Sequence, residues 1–131
     1  MVKMWAEKEV RNLKRISVTD GLIKAPYPYI LKNNIIVMEL IGEDTVAAPR
    51  LRDANLSDWN SAYEQTIMIV RRLYQRCRLV HADLSEYNLL YHKDEVWVID
   101  VSQAVENDHP MALDFLRRDV SIVQEFFGKK L

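Results

Sequence analysis

The segment 81–100 constrains the fold of this 131-residue chain more than any other part of the sequence. Residues 81–88 form a polar loop, His-Ala-Asp-Leu-Ser-Glu-Tyr-Asn, and residues 96–101 are an almost uninterrupted apolar run, Val-Trp-Val-Ile-Asp-Val. The run predicts a short strand, and the Lys-Asp pair at 93–94 predicts the turn that precedes it. The segment therefore joins a polar loop to a strand that carries a carboxylate, Asp100, near its end.

The other elements follow from helical spacing, apolar runs and turn residues. The predicted elements are a helix at 2–16, strands at 29–32 and 35–41 joined by Asn33-Asn34, a loop at 43–56 that could hold a short helix, a helix from a cap at Ser57 or Asp58 to about residue 76, and a helix from Asn107 or Asp108 to Gly128, with Pro110 in its first turn. The predicted class is α+β, in one domain.

Composition excludes several classes of function. The chain has 18 Lys and Arg against 19 Asp and Glu, so no overall field attracts nucleic acid. The arginines at 71–78 are interpreted as a solvated helix face rather than a nucleic-acid patch. Cys77 is the only cysteine, which rules out an internal disulfide, and no apolar stretch is long enough to cross a bilayer. These features favour a cytoplasmic protein without a membrane partner.

The polar loop carries the residue types that phosphoryl transfer from ATP requires. Asp83 and Asn88 are separated by four residues, and Asp100 follows at the end of the next strand. One carboxylate near the attacking hydroxyl, together with carboxylate and amide oxygens for Mg²⁺, is sufficient protein chemistry for this reaction. The spacing alone is common by chance. The apolar Leu89-Leu90 pair and the strand that follow make it specific.

The loop 81–88 resembles the catalytic loop of the RIO family of atypical protein kinases. Ser85 stands in it where ordinary kinases commonly carry a lysine or arginine. Residues 99–103, Ile-Asp-Val-Ser-Gln, resemble the metal-binding loop of that family. Further similar segments are Trp5–Glu9, Val37–Gly42 and Asp108–Pro110. The resemblance covers essentially the whole chain and is strongest to the first and third subtypes, slightly more to the third.

The resemblance implies a protein-kinase-like fold with three parts. Residues 1–16 would be a helix of the N-terminal lobe, residues 28–42 a hairpin and hinge, and residues 43–131 the C-terminal lobe. It also implies ATP and Mg²⁺ as cofactors, and a role in maturation of the small ribosomal subunit, with pre-ribosomal particles as partners.

The resemblance further assigns roles to matching residues. Asp83 would be the catalytic carboxylate, Asn88 and Asp100 would bind Mg²⁺, and Asp100 would also be a candidate phosphate acceptor. Glu9, with Glu7 as the less favoured alternative, would pair with a lysine that binds the nucleotide. Met38, Leu90 and Ile99 would line the adenine pocket, and Glu39 and Ile41 would bind adenine through their backbone. His81 is interpreted as a packing residue, and Ser102 as a hydroxyl that binds the Asp100 turn.

No clustered glycines and no strand lysine precede Glu9 in this sequence, whereas kinases carry both upstream of the matching helix. The chain is therefore expected to be a fragment, with Met1 a possible introduced start. We expect it to have little activity alone and to expose apolar surface. Two alternatives remain open: a non-catalytic partner-binding fragment, and a small-molecule kinase of the aminoglycoside or choline type, against which residues 84–85 and 101–103 argue.

Overall fold

The first helix presents one apolar face to the rest of the chain. The computed structural model describes residues 2–131, and side chains from residue 4 onward; in it, α1 spans Val2–Ser17, which confirms the predicted helix. Helical spacing predicts a buried apolar stripe on this helix at Val2, Trp5, Ala6, Val10, Leu13 and Ile16. The last four of these side chains are buried. The predicted place of Val2 in this stripe lies outside the described side chains. Trp5 differs from the prediction, because it is 53% exposed.

A β-hairpin follows α1 and packs against it. Strand β1 (Pro28–Lys32) pairs in antiparallel fashion with β2 (Ile35–Met38). The predicted two-residue turn is confirmed, and Asn33 adopts the left-handed conformation that such turns require, with φ 59°. Strand β2 ends three residues earlier than the sequence predicts, which frees residues 39–41 from strand pairing.

Residues 43–56 form no helix. Instead β3 (Gly42–Glu43) pairs with β4 (Val46–Ala47), and the chain then turns onto the core. The backbone N–H of the fully buried Leu51 donates a hydrogen bond of 2.8 Å to the carbonyl of Leu89. This tertiary contact, which local propensity does not encode, fixes the segment beside the polar loop.

Helix α2 (Trp59–Arg76) begins where the sequence predicts, because the Asp58 side chain accepts a hydrogen bond of 3.0 Å from the Ser61 N–H. Its fully buried positions are Ala62, Thr66, Ile69 and Leu73. The sequence places Met68 and Ile69 off the apolar stripe and so predicts burial on more than one face. That prediction was wrong, because Met68 is 37% exposed and Ile69 shares one face with Thr66 and Leu73 at helical spacing.

Helix α3 (Ala112–Gly128) ends at the predicted glycine but begins four or five residues later than predicted. The turn before it is held by His109, whose Nδ1 accepts the Met111 N–H at 3.0 Å and whose carbonyl accepts the Ala112 N–H at 2.9 Å. Pro110 therefore lies in this turn and not in the helix. The prediction of a start at Asn107 or Asp108 was wrong.

Two further strand pairs frame the polar loop. Strand β5 (Leu79–Val80) pairs with β8 (Val105–Glu106), and β6 (Leu89–His92) pairs with β7 (Glu95–Val98), all antiparallel. The predicted turn at 93–94 is confirmed, since both residues have positive φ. The loop 81–88 thus leaves one strand pair and enters the other, which restricts both of its ends.

The core lies beneath these strands and between the helices. Its most deeply buried side chains come from every part of the chain: Leu13, Ile16, Leu51, Leu73, Leu79, Leu84, Leu89, Val98, Val123 and Phe127. Leu84, within the polar loop, is one of them. Among the described residues, no helix is long and apolar enough to span a membrane.

The thiol of Cys77 is part of this core. It is 2% exposed, and burial raises its pKa while the nearby Arg15 opposes the rise. We expect native Cys77 to react with a disulfide reagent about one hundred-fold more slowly than the unfolded chain does, since only exposed thiolate reacts. A Ser121→Cys variant, with its new thiol on the exposed side of α3, is the control. Two thiols reacting at equal rates in that variant would contradict this burial.

Candidate functional site

A cleft of about 600 Å³ opens between α1, the β1–β2 hairpin and the β6–β7 hairpin. It is lined by all six residues predicted to contact the nucleotide and by one predicted metal ligand: Glu9, Met38, Glu39, Ile41, Leu90, Ile99 and Asp100. Trp5 and Ser102 also line it, although the sequence did not indicate them for this surface. Asp83 and Asn88 are not in its lining. They belong to the adjoining polar loop.

Residues 39–41 run along one edge of the cleft as a hinge between the hairpins. The Glu39 N–H donates to the Tyr27 carbonyl at 2.8 Å, and the Ile41 carbonyl accepts from the Ala48 N–H at 2.8 Å. No described residue bonds the Glu39 carbonyl or the Ile41 N–H. The hinge therefore offers one acceptor and one donor, two residues apart, at the edge of a mostly apolar cleft.

The polar loop holds Asp83 and Asn88 side by side. The Asn88 side-chain amide donates to the Asp83 carbonyl at 2.7 Å, and its nitrogen lies 3.5 Å from the Asp83 Oδ2. The Asn88 N–H closes a turn onto the Ser85 carbonyl at 3.0 Å. Because the amide nitrogen is engaged with residue 83, the Asn88 side chain has a defined orientation, and its oxygen remains available as a ligand.

The β6–β7 pairing brings Asp100 to the same end of the molecule as Asn88. Leu89 is the register partner of Val98, and the Ile99 N–H donates to the Asn88 carbonyl at 3.0 Å. Asp100 follows at once with φ 55°, a conformation that Asp tolerates better than most residues. The Ser102 hydroxyl donates to the Asp100 Oδ1 at 3.0 Å, in agreement with its predicted role in this turn.

His81 acts as a structural residue between loop and strand. It is 2% exposed; its Nδ1 accepts the Asp83 N–H at 3.2 Å, and its Nε2 lies 3.0 Å from the Ile99 carbonyl. The ring therefore carries its proton on Nε2, because Nδ1 is the acceptor. The prediction that His81 packs and binds nearby backbone is confirmed.

Asp119 anchors the polar loop from α3. Helical spacing in the sequence groups this residue with the apolar positions of that helix and indicates no role for its carboxylate. This carboxylate is 1% exposed, with Oδ2 accepting the Ala82 N–H at 2.9 Å and Oδ1 accepting the Leu84 N–H at 3.2 Å. Arg118 bonds the Ala82 carbonyl. Asp83 is thereby held between two anchored neighbours, and Ala82 keeps a strained φ of 70°.

Glu9 is the buried carboxylate of the cleft. Its pKa is raised to about 7, chiefly by burial and also by the charge of Asp100, while hydrogen bonds from the Val101 and Ser102 backbone oppose the rise. Its Oε2 is buried and has no hydrogen-bond partner among the described residues. An uncompensated carboxylate oxygen beside Asp100 is a place where a cation would be stabilised.

The donor set around the loop fits a hard divalent cation. Asp83, Asn88 and Asp100 offer carboxylate and amide oxygens, the ligands that Mg²⁺ accepts together with water. No three His, Cys, Asp or Glu side chains converge on a metal position within the described part of the chain. An ion bound here would therefore depend on the Asn88 amide and on water in addition to carboxylates.

Comparison with known proteins decides the family. The model of the RIO domain matches residues 1–131. The chain belongs to the RIO domain family. It is 55% identical over 132 residues to the serine/threonine-protein kinase rio1 of Dictyostelium discoideum, covering 99% of this chain and 23% of that protein.

Human relatives of two subtypes are about equally similar to this RIO chain. Identity with the human serine/threonine-protein kinase RIO1 is 51%, over 97% of this chain and 22% of that protein. Identity with human RIO3 is 49%, over 98% of this chain and 25% of that protein. The predicted family is confirmed, and it argues against the small-molecule kinase alternative. The preference for the third subtype stays a prediction, because these identities do not separate the two.

Solved RIO structures confirm the fold class. The Rio2 kinase of Chaetomium thermophilum superimposes with a TM-score of 0.83 at 29% identity, over 96% of this chain and 39% of that one. A second structure of the same kinase, an ADP/Mg²⁺-phosphoaspartate complex, superimposes with a TM-score of 0.81 at 27% identity. The match covers 98% of this chain and 39% of that one. This RIO chain thus spans about a quarter of the first curated relative and about two fifths of the solved structures.

Proposed function

We propose that this RIO domain binds ATP with Mg²⁺ and contributes the catalytic residues of phosphoryl transfer, as an atypical serine/threonine kinase or an ATPase. The observation that carries the proposal is the common cleft. Seven residues assigned from the sequence line one 600 Å³ cavity, and the Asp83–Asn88 loop adjoins it. A related Rio2 kinase has been solved as a complex with ADP and Mg²⁺, which supports the same ligands here.

In this proposal the hinge and the cleft walls hold the adenine. The Glu39 carbonyl would accept from the adenine amino group, and the Ile41 N–H would donate to a ring nitrogen. Met38, Leu90 and Ile99 would contact the two faces of the base, since apolar walls with a few polar groups are typical of nucleotide sites. Glu9 would stabilise a cationic group near the phosphates, which its buried oxygen favours.

The loop residues would position the reacting groups. Asp83 would orient the attacking hydroxyl or water and accept its proton, and His81 and Asp119 would fix the backbone on either side of it. Asn88 and Asp100 would hold Mg²⁺, which when bound neutralises charge on the phosphates. Asp100 is also the candidate phosphate acceptor, because a related Rio2 kinase carries a phosphoaspartate.

We propose further that these 131 residues turn over little ATP by themselves. They contain three dispersed glycines and no strand lysine before Glu9, so few donors would position the phosphates. Release of phosphate from ATP by the purified chain would be measured beside an Asp83→Ala variant. Turnover that this substitution abolishes would show the inference of inactivity to be wrong and would leave the site assignment supported.

Magnesium-dependent nucleotide binding is the direct test of the site. We expect ADP to bind about ten-fold more tightly with Mg²⁺ than with EDTA, and Asp100→Asn to remove most of that difference, since a carboxylate ligand is lost. Asp94→Asn, in the exposed β6–β7 turn, is the matched control. Calorimetry measures both. ADP affinity that is the same with Mg²⁺ and with EDTA in every variant would instead favour the non-catalytic partner-binding alternative.

The cellular role is proposed from the family resemblance alone. We infer a cytoplasmic protein that acts on precursors of the small ribosomal subunit. Sedimentation of a tagged chain with such particles from a cell extract tests this. A tag found only in the free fractions, with and without added nucleotide, would argue against the association.

A further inference from the structure

A second cleft, of about 440 Å³, lies between α1 and the segment that contains β8. Lys8 and Arg11 of α1 line it, with Glu106, Asp108 and His109 from the opposite side. We call it the α1 basic cleft. Lys8, Arg11 and Arg15 are spaced three and four residues apart and share one face of the helix, whereas Glu9 projects into the nucleotide cleft on another. The two clefts therefore have separate linings.

Two cations, Lys8 and Arg11, and two carboxylates line this cleft, and two more arginines lie beside one of those carboxylates, Glu106. Arg15 binds Glu106 through two hydrogen bonds of 2.7 and 3.1 Å, so the charge of that carboxylate is largely compensated. The hydrogen bonds from Arg15 lower the pKa of the Glu106 carboxyl, and the charges of Arg11 and Arg78 lower it further. Neither Lys8 nor Arg11 forms an ion pair with any residue from 4 to 131. Two cations that belong to none of these ion pairs thus border one concavity.

Arg78 reaches this region from an unusual backbone position. It follows Cys77, the C-cap of α2, and has φ 56°, where glycine is the favoured residue. Its carbonyl accepts the Asn107 N–H at 2.9 Å. A long basic side chain there adds positive charge in a backbone conformation that glycine adopts more easily. The positive charge accordingly comes from α1 and from the α2–β5 connection together.

The shape of the cleft restricts the ligand. Its floor contains the buried Leu79 and Ala104, so it combines an apolar base with a cationic rim. Glu106 and Asp108 stand on the same rim and would repel a long polyanion, and the whole chain carries a net charge of −1. A single phosphate on a short peptide fits this pattern better than an extended nucleic-acid backbone, which requires a continuous basic stripe.

We propose that the α1 basic cleft binds a phosphorylated segment of a partner protein. The phosphate dianion would be held by Lys8 and Arg11, and a neighbouring apolar side chain would contact the floor. The site is separate from the nucleotide cleft and does not depend on the proposed catalytic function.

The test uses a fluorescein-labelled peptide with one phosphoserine among small apolar residues. Anisotropy is measured in about 0.1 M salt with saturating MgADP, which keeps the probe out of the nucleotide cleft. We expect a Lys8→Gln/Arg11→Gln double variant to weaken binding about ten-fold or more. A Lys14→Gln/Arg71→Gln double variant removes the same charge at exposed positions and should change binding less than about two-fold.

Further arms separate the sources of binding. The unphosphorylated peptide should bind far more weakly, inorganic phosphate should compete only at high concentration, and a uridine oligonucleotide should bind less tightly than the phosphopeptide. Equal weakening by both double variants, tighter binding of the oligonucleotide, or no saturable binding below about 1 mM peptide would each overturn the proposal. Circular dichroism of each variant confirms that it is folded.

Discussion

Replacing Asp119 by alanine is expected to lower the free energy of unfolding by about 3–5 kcal/mol. The carboxylate is fully buried and accepts the N–H groups of Ala82 and Leu84. Alanine would leave both donors buried without a partner, because no water can reach them without opening the loop. It would also remove a carboxylate that interacts favourably with the charge of Arg118. Urea unfolding followed by circular dichroism measures the loss.

Two variants make this expectation specific. Asp119→Asn keeps one acceptor oxygen and turns the other into a donor, so its loss should be intermediate. Asp114→Ala, on the exposed side of the same helix with an ion pair of 4.0 Å, should change stability by less than about 0.5 kcal/mol. In the Asn variant, amide hydrogen exchange at residues 82 and 84 should accelerate. A fully stable Asp119→Ala protein would show that the loop does not depend on this anchor.

The stability of the metal-free protein should fall as pH rises through the titration of Glu9. Its folded-state pKa is about 7, raised from an ordinary value of 4.5 by burial and by Asp100. Below about pH 4.5 the group is protonated in both states, so its contribution is fully present. Between pH 4.5 and 7 the unfolded chain ionises more readily than the native one, so stability is lost, by about 3 kcal/mol at most.

Glu9→Gln should remove this component. The variant keeps the shape of the side chain but cannot ionise, so its stability should fall less than that of the native chain between about pH 5 and pH 8. Glu7→Gln, exposed on the same helix, is the control that leaves the slope unchanged. Measurements in EDTA exclude metal ions from the site. Identical pH profiles for the native chain and Glu9→Gln would mean that this carboxylate is not desolvated in solution.

Local chemistry made much of the fold predictable. The turns at 33–34 and 93–94 were predicted correctly because each contains a residue type that tolerates positive φ, Asn33 in one and Asp94 in the other. The start of α2 was correct because Asp58 caps it through its own side chain. Each of these signals operates within a few residues of the chain, where sequence pattern and structure are directly linked.

Of the two errors, the first has a local cause and the second a contact that is distant in the chain. The start of α3 was placed too early because Pro110 normally favours a first helical turn, whereas His109 binds the following backbone and delays the helix. The segment 43–56 has no clear periodicity in its sequence. Its path is fixed instead by a hydrogen bond from the Leu51 N–H to the carbonyl of Leu89, 38 positions away in the chain. Neither contact leaves a periodic trace in the sequence.

The sequence by itself determined the family and the candidate chemistry of this protein. A carboxylate, an amide and a second carboxylate at fixed spacing around one strand are local facts, and the matching segments extend along the chain. Only the tertiary structure decided that Asp119 supports the loop, that Glu9 is buried beside Asp100, and that Lys8 and Arg11 border a second cleft. Burial and charge proximity depend on residues far apart in the chain. Therefore tertiary packing, and not sequence spacing, determines how much Asp119 stabilises the fold, how far the pKa of Glu9 is raised, and that Lys8 and Arg11 lie at one cleft.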